Sequence, residues 1–305
     1  MNTYIRGIFI TSFAAILFGL NPLFVNYLQT SNMNLLWTLF VRFLGSFLVF
    51  LFINLFKKNE IILKNNFIAY FKIFICATFF LLTSVFLVYS YTKIPSGLTT
   101  VLHFSYPIII TLMSIKAKRD TFNFSLIISI VLSISGVILV TNPSEMDFNL
   151  MGIISAFLSA IVFSIYLFML NDKDVKKVEN DVFVLFLNLF SVILLLIASL
   201  FIKDDFLAIK NININFISSL GILGYILASA FGASLFSFGT RIIGGPIAGT
   251  IDAFEPLTAV FVGILYLNEA CSKYYVIGVC LILLSTVIVS LFTARGKKAR
   301  NLLHN

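Results

Sequence analysis

Charged side chains are scarce in this chain: only 11% of its 305 residues are Asp, Glu, Lys or Arg, whereas an ordinary soluble domain is about a quarter charged. With 60% of residues hydrophobic and a mean hydropathy of +1.04, no water-soluble fold can hide the apolar surface, which excludes a soluble globular protein. Histidine is limited to His103 and His304, so a His-rich metal or catalytic cluster is excluded. The three cysteines, Cys76, Cys271 and Cys280, lack metal-ligand spacing and imply neither zinc nor a disulfide framework. Cys271 and Cys280 fall in or beside apolar runs, where Cys behaves as a small hydrophobe. No G-x-x-x-x-G-K-[ST] motif occurs and no polar stretch is long enough to form a nucleotide-binding domain, which argues against ATP-driven work. No cofactor, no metal and no catalytic residue is expected.

A formal net charge of +8 suggests an anionic partner. The basic residues, however, sit in short clusters between apolar runs and form no continuous stripe, so no nucleic acid is expected. Clusters such as Lys116 to Arg119 and Arg295 to Arg300 read as topology determinants that touch anionic lipid.

What the sequence has in abundance is apolar runs of membrane-spanning length. Five extend from about Ile5 to Val25, Leu35 to Leu55, Phe71 to Tyr91, Ser96 to Ile115 and Phe122 to Val140. Five more extend from about Leu150 to Leu170, Val182 to Ile202, Phe216 to Gly239, Pro246 to Tyr266 and Tyr274 to Phe292. They are about twice as long as barrel strands and do not alternate, so they predict helices. The first run continues past any small-x-small cleavage site and reads as a permanent span.

The basic residues test this count. With the N-terminus inside, the inner segments hold sixteen Lys and Arg and the outer loops four, Lys93, Lys203, Lys210 and Lys273; Arg42 lies within span two. The alternation follows the positive-inside rule and predicts both termini in the cytoplasm.

The chain also resembles itself. A shift of 149 positions superposes Pro107 on Pro256, Ile115 on Ile264, Asp120 on Glu269, Leu132 on Leu281 and Val140 on Val289, and a shift of 145 superposes Ala15-Ile16-x-Phe18 on Ala160-Ile161-x-Phe163. Each unit holds five spans, an odd number, so the second unit enters the membrane from the opposite side. The expected architecture is an all-α integral membrane protein of ten transmembrane helices, built as two inverted five-helix repeats around a central cavity. The units are residues 1–143 and 144–294, followed by a basic cytoplasmic tail at 295–305. Inverted repeats suit alternating access.

The ordered set Ala14-Ala15-Ile16-Leu17-Phe18-Gly19-Leu20-Asn21 in span one, Arg42 in span two, Phe254-Glu255-Pro256-Leu257 and Leu267-Asn268-Glu269 in span nine, and Gly278 in span ten resembles the EamA-type transporters of the drug/metabolite transporter superfamily over essentially the whole chain. The resemblance implies a ten-helix fold with a cavity lined by helices of both halves, including spans three, four, eight and nine. It also implies carriage of a metabolite such as an amino acid, nucleotide-like compound or vitamin. Two positions depart from the pattern: Asn268 stands where a glycine is often found, and Ser164 stands at the second copy of Gly19.

Ionisable groups inside a bilayer are costly and usually face a cavity or a partner. Asp252 and Glu255 are three residues apart on one helix face, about 9 and 14 Å from Pro246 at roughly 1.5 Å per residue. Pro256 loosens the backbone beside them. The 149-residue shift pairs them with His103 and Tyr106. Arg42 is expected to neutralise an acid of span nine, ahead of contacting substrate. Asn21 and Tyr166, paired by the shorter shift, and Asn188 complete the polar candidates. These residues predict substrate binding or proton coupling in a secondary carrier of the cytoplasmic membrane, a monomer or homodimer. The expected partners are a small-molecule substrate, the lipid bilayer and a coupled proton or counter-substrate. A vitamin or nucleoside-type uptake carrier is the alternative, and a membrane-embedded enzyme the remote one.

Overall fold

Apart from short breaks, the apolar runs are helical over the residues that the computed structural model describes, 3–57, 67–117, 124–140, 149–201, 212, 214–243, 248–249, 251–269 and 272–303. In chain order the helices are α1 (Thr3–Gly19), α2 (Asn21–Gln29), α3 (Leu35–Lys57), α4 (Phe67–Tyr91), α5 (Ser96–His103), α6 (Tyr106–Lys116) and α7 (Phe124–Val140). They continue with α8 (Leu150–Leu170), the single turn α9 (Lys173–Lys177), α10 (Asn180–Ser199), α11 (Phe216–Ile243), α12 (Phe254–Tyr266) and α13 (Lys273–Leu303). No strand occurs among the described residues. Without water, every backbone N–H and C=O in a bilayer must be satisfied within its own segment, and the helix does this.

Among the described residues, seven helical segments are long and apolar enough to cross a membrane, two of them formed by α1 with α2 and by α5 with α6. Three shorter apolar helices cover Leu126–Leu139, Phe254–Tyr266 and Lys273–Ile288. Large apolar side chains such as Phe52, Phe56, Phe67, Phe124 and Phe261 are exposed on the outside, as a lipid-facing surface requires.

Runs one and four differ from the uninterrupted helices expected. Run one breaks at Leu20, before Pro22; run four breaks at Phe104 and Ser105, before Pro107. Proline has no N–H and its ring clashes with the carbonyl four residues earlier, so the helix cannot pass through unaltered. The chain closes each gap with tight three-residue turns, Leu23 N–H to Leu20 O at 3.1 Å and Ile108 N–H to Ser105 O at 3.1 Å. Run nine breaks in the same way at Asp252 and Ala253, before Pro256, with Glu255 N–H to Asp252 O at 2.8 Å. The breaks in runs four and nine coincide within one residue under the 149-residue shift.

The helices pair as α7 with α13, α4 with α8, α1 with α11, α3 with α10, and α5 with α12. Exchanging each run with the one five places away returns the same set of pairs. Close approach depends on glycine at two crossings in particular. A methyl group at Gly136 would strike the Gly278 carbonyl and Ile282, and one at Gly239 would strike Thr11. Membrane helices gain their association chiefly from such contacts, because lipid is as apolar as the partner helix.

The start of run nine at Pro246, the acidic position Asp120, Cys271 and the lysines Lys58, Lys64, Lys118, Lys203 and Lys210 lie outside the described residues.

Candidate functional site

The breaks in α1–α2 and before α12 border a cavity of about 40 Å³ whose mostly apolar wall carries a few polar groups. Its walls include Phe18, Asn21, Arg42, Phe80, Ser84, Tyr91, His103, Phe163, Tyr225 and Glu255. A water molecule needs about 10–15 Å³ measured in this way, so the space suits a few waters and is too small for a metabolite in this conformation.

Arg42, only 6% exposed, enters from α3. Its Nη1 donates to Ser84 Oγ at 3.0 Å, and its guanidinium carbon lies 5.2, 5.4 and 5.5 Å from the ring centres of Phe43, Phe80 and Tyr225. The expected ion pair with span nine is not formed: neither Asp252 nor Glu255 brings a carboxylate oxygen within 4.0 Å, and the ion pairs among the described residues are made by lysines. Three aromatic rings and a hydroxyl surround the charge instead, with Glu255 near enough to interact with it electrostatically.

Glu255, 7% exposed, places its carboxylate on the cavity wall, whereas Asp252, 1% exposed, lies one layer behind. The Tyr106 hydroxyl donates to Asp252 Oδ2, and Asp252 Oδ1 is buried without a partner among the described residues. Tyr106, the counterpart of Glu255 under the 149-residue shift, thus meets Asp252, the counterpart of His103. His103 lines the cavity and shares a 2.8 Å hydrogen bond with Ser159 Oγ. Ser159 Oγ also lies 2.6 Å from Ala156 O. The imidazole also packs 5.1 Å from Phe163.

Asn21 reaches the cavity with its amide 3.5 Å from Ser229 Oγ. Tyr166 stands behind the wall, its ring 5.6 Å from Phe163 and 5.1 Å from Phe80. Asn188 donates to Val184 O of its own helix at 2.7 Å and is not brought to the cavity. Ser164 is within hydrogen-bond distance of Tyr106 O at 3.1 Å, beside the break in run four. Sequence reasoning missed Ser84, Tyr91 and Tyr225. Their only signal is a polar atom within an apolar run, shared by many other residues in this chain.

The two ends of the bundle are fastened between segments far apart in sequence. At the end where α5 begins, Glu269 accepts from Ser96 N–H and Oγ–H, both at 2.6 Å, and from Gly97 N–H at 3.1 Å. At the opposite end, Lys72 bridges Asp172 and Asp174 at 2.7 Å each, and Lys57 pairs with Asp181 at 2.6 Å. Partial burial pushes Asp172 upward, but Lys72 and backbone N–H donors outweigh it and hold its carboxyl below the usual range; the Lys72 hydrogen bond does the same for Asp174.

The family profile of the EamA-like transporters matches the chain twice, over residues 5–142 and 150–291. No curated protein matches. One solved crystal structure aligns over 95% of this chain and 98% of its own length, with 15% identity and a TM-score of 0.63, which shows a shared fold.

Proposed function

Because the chain belongs to the EamA-like transporter family and is a multi-pass membrane protein, we propose that it is a secondary carrier that moves an amino acid or related small metabolite across the cytoplasmic membrane by alternating access. The observation that carries this reading is a buried cation and a buried carboxylate on one cavity, contributed by different family matches: Arg42 lies in the first and Glu255 in the second. Arg42, in no ion pair among the described residues, takes the substrate carboxylate through a bidentate fork, Glu255 takes its ammonium group, and the Phe and Tyr walls take its apolar part.

Ten spans, as two inverted repeats, supply the mechanism. The helix pairing that maps onto itself and the matching breaks of runs four and nine support this arrangement. With both termini cytoplasmic, the Lys72 clasp is the inner closure and the Glu269 cap the outer one. In this reading substrate reaches the cavity when one of the two fastenings opens. A gradient drives the cycle, with a proton or counter-substrate as the coupled species.

A vitamin or nucleoside-type solute is the second reading, favoured by the ring faces of Phe80, Phe163 and Tyr225. A membrane-embedded enzyme is the remote reading, disfavoured by membership of a transporter family.

Purified protein in vesicles, assayed with a panel of labelled amino acids, nucleosides and vitamins, tests the proposal. Saturable flux of an amino acid that falls at least about tenfold in both Arg42→Lys and Glu255→Gln, each inserting normally, is the expected result. Undiminished flux in both variants would remove the cavity from the mechanism, and unitary currents in a planar bilayer would replace the carrier with a channel.

A further inference from the structure

At the Lys72 end of the bundle, the last turn of α11 half-buries a guanidinium with a hydrogen-bond partner at one of its three nitrogens. Arg241 Nη1 donates to Val178 O at 2.8 Å, and its Cζ lies 5.5 Å from the Phe183 ring centre. Its Nε and Nη2 are buried with no hydrogen-bond partner among the described residues, and no ion pair includes it. The hydroxyl of neighbouring Thr240 is likewise buried and unpartnered.

The identity of the two unmatched nitrogens matters. Nε and Nη2 form one edge of the planar guanidinium, with two N–H bonds pointing the same way, the geometry that grips two oxygens of a carboxylate or phosphate side by side. Buried donors are nearly always matched in folded proteins, so a complete unmatched edge marks a place for an oxyanion. A strip of rings joins this place to the cavity. Phe80 lies under Arg42, the Tyr166 ring is 5.1 Å from Phe80, and Tyr166 is close enough to Arg241 to interact with its charge.

We propose that Arg241 is an oxyanion-binding site, distinct from the cavity, that takes a carboxylate or phosphate group across its Nε–Nη2 edge. The carrier reading bears on it only through which molecule brings the oxyanion: the transported solute on its way between cavity and inner face, or a lipid headgroup at that face.

The test uses full-length protein in lipid-free detergent micelles, with unfolding followed through the lone tryptophan, Trp37. Sodium acetate, sodium phosphate and short-chain phosphatidylglycerol are each titrated at ionic strength held constant with sodium chloride. At least one should raise the unfolding midpoint saturably, because a ligand that binds only the folded state stabilises it. Response to acetate or phosphate assigns a free solute; response confined to phosphatidylglycerol assigns a headgroup. Arg241→Gln should abolish the response. Arg241→Lys, which keeps the charge and serves if the glutamine variant fails to fold, should raise the half-saturating concentration about tenfold or more, since an ammonium cannot bridge two oxygens. No response to any of the three, a response unchanged in both Arg241 variants, or one removed by Arg42→Lys instead would overturn the proposal. Flux is not measured in this assay, so failure of the site and failure of the carrier reading are separable.

Discussion

Glu269 and Ser96, 173 positions apart, form the cap of α5: one carboxylate oxygen accepts both the backbone N–H and the hydroxyl of Ser96. The helix has no side-chain cap of its own, since Pro95 precedes it, so the acid at the end of α12 satisfies the free N–H groups and faces the positive end of the helix. Gly263 makes room, because a methyl there would strike the Glu269 carboxylate.

Replacing Glu269 with Ala should therefore lower stability by roughly 1.5–3 kcal/mol, the usual worth of a hydrogen bond to a charged group. Glu269→Gln, which keeps one acceptor oxygen, should lose less. Chemical unfolding in micelles checks both, and equal stability of the Ala variant and the parent would show that water caps α5 just as well.

Asn268 ends α12 in the left-handed region, with φ of 54°, and the Glu269 N–H turns back to Gly263 O at 2.9 Å. Glycine and asparagine tolerate this conformation, which explains why Asn serves where a glycine was expected. Asn268→Gly should be near neutral, while Asn268→Val should cost about 1–2 kcal/mol from the Cβ clash. Unfolding midpoints of the two variants, compared directly, decide the point.

Tyr106 supplies the hydrogen bond to Asp252 across the broken helices. Tyr106→Phe should cost about 1–3 kcal/mol because the buried carboxylate is left unmatched. Asp252→Leu removes the same need, so the double variant should be less destabilised than the sum of the singles, by about 0.5–3 kcal/mol. Strict additivity in this cycle would mean that the two groups are independent.

The Lys72 clasp should depend on pH in one direction. Its two aspartates lie outside the spanning helices and are held below the ordinary value of 3.8. A carboxyl depressed in the folded state contributes stability above its unfolded value and loses it as pH falls through the lower, folded one. The stability difference between parent and Lys72→Met should thus be constant near neutrality and shrink below about pH 3.8. A difference that grew on acidification would show that the clasp is not what the lysine supplies.

The spans, the repeat and the residues Asp252, Glu255, His103 and Tyr106 were legible because their signals are local: apolar run length, charge alternation and a fixed offset between copies. Arg42 was legible as a buried charge but not in its surroundings, since rings from α4 and α11 lie 38 and 183 positions away. Pro22 and Pro107 were visible as residues, yet the breaks they cause were not evident, because a bilayer helix can bend around proline or stop at it depending on its neighbours.

Sequence alone determined that this is a membrane-spanning helical protein with two related halves, because burying so much apolar surface in lipid leaves the backbone few choices. Tertiary structure decided which polar groups meet. Tyr106 reaches Asp252 rather than solvent, Arg42 rests on rings rather than on an acid, Glu269 caps a distant helix, and Arg241 keeps an open edge. Such meetings depend on how helices cross, to within an ångström or two, and crossings are set by packing between residues that composition and periodicity do not relate.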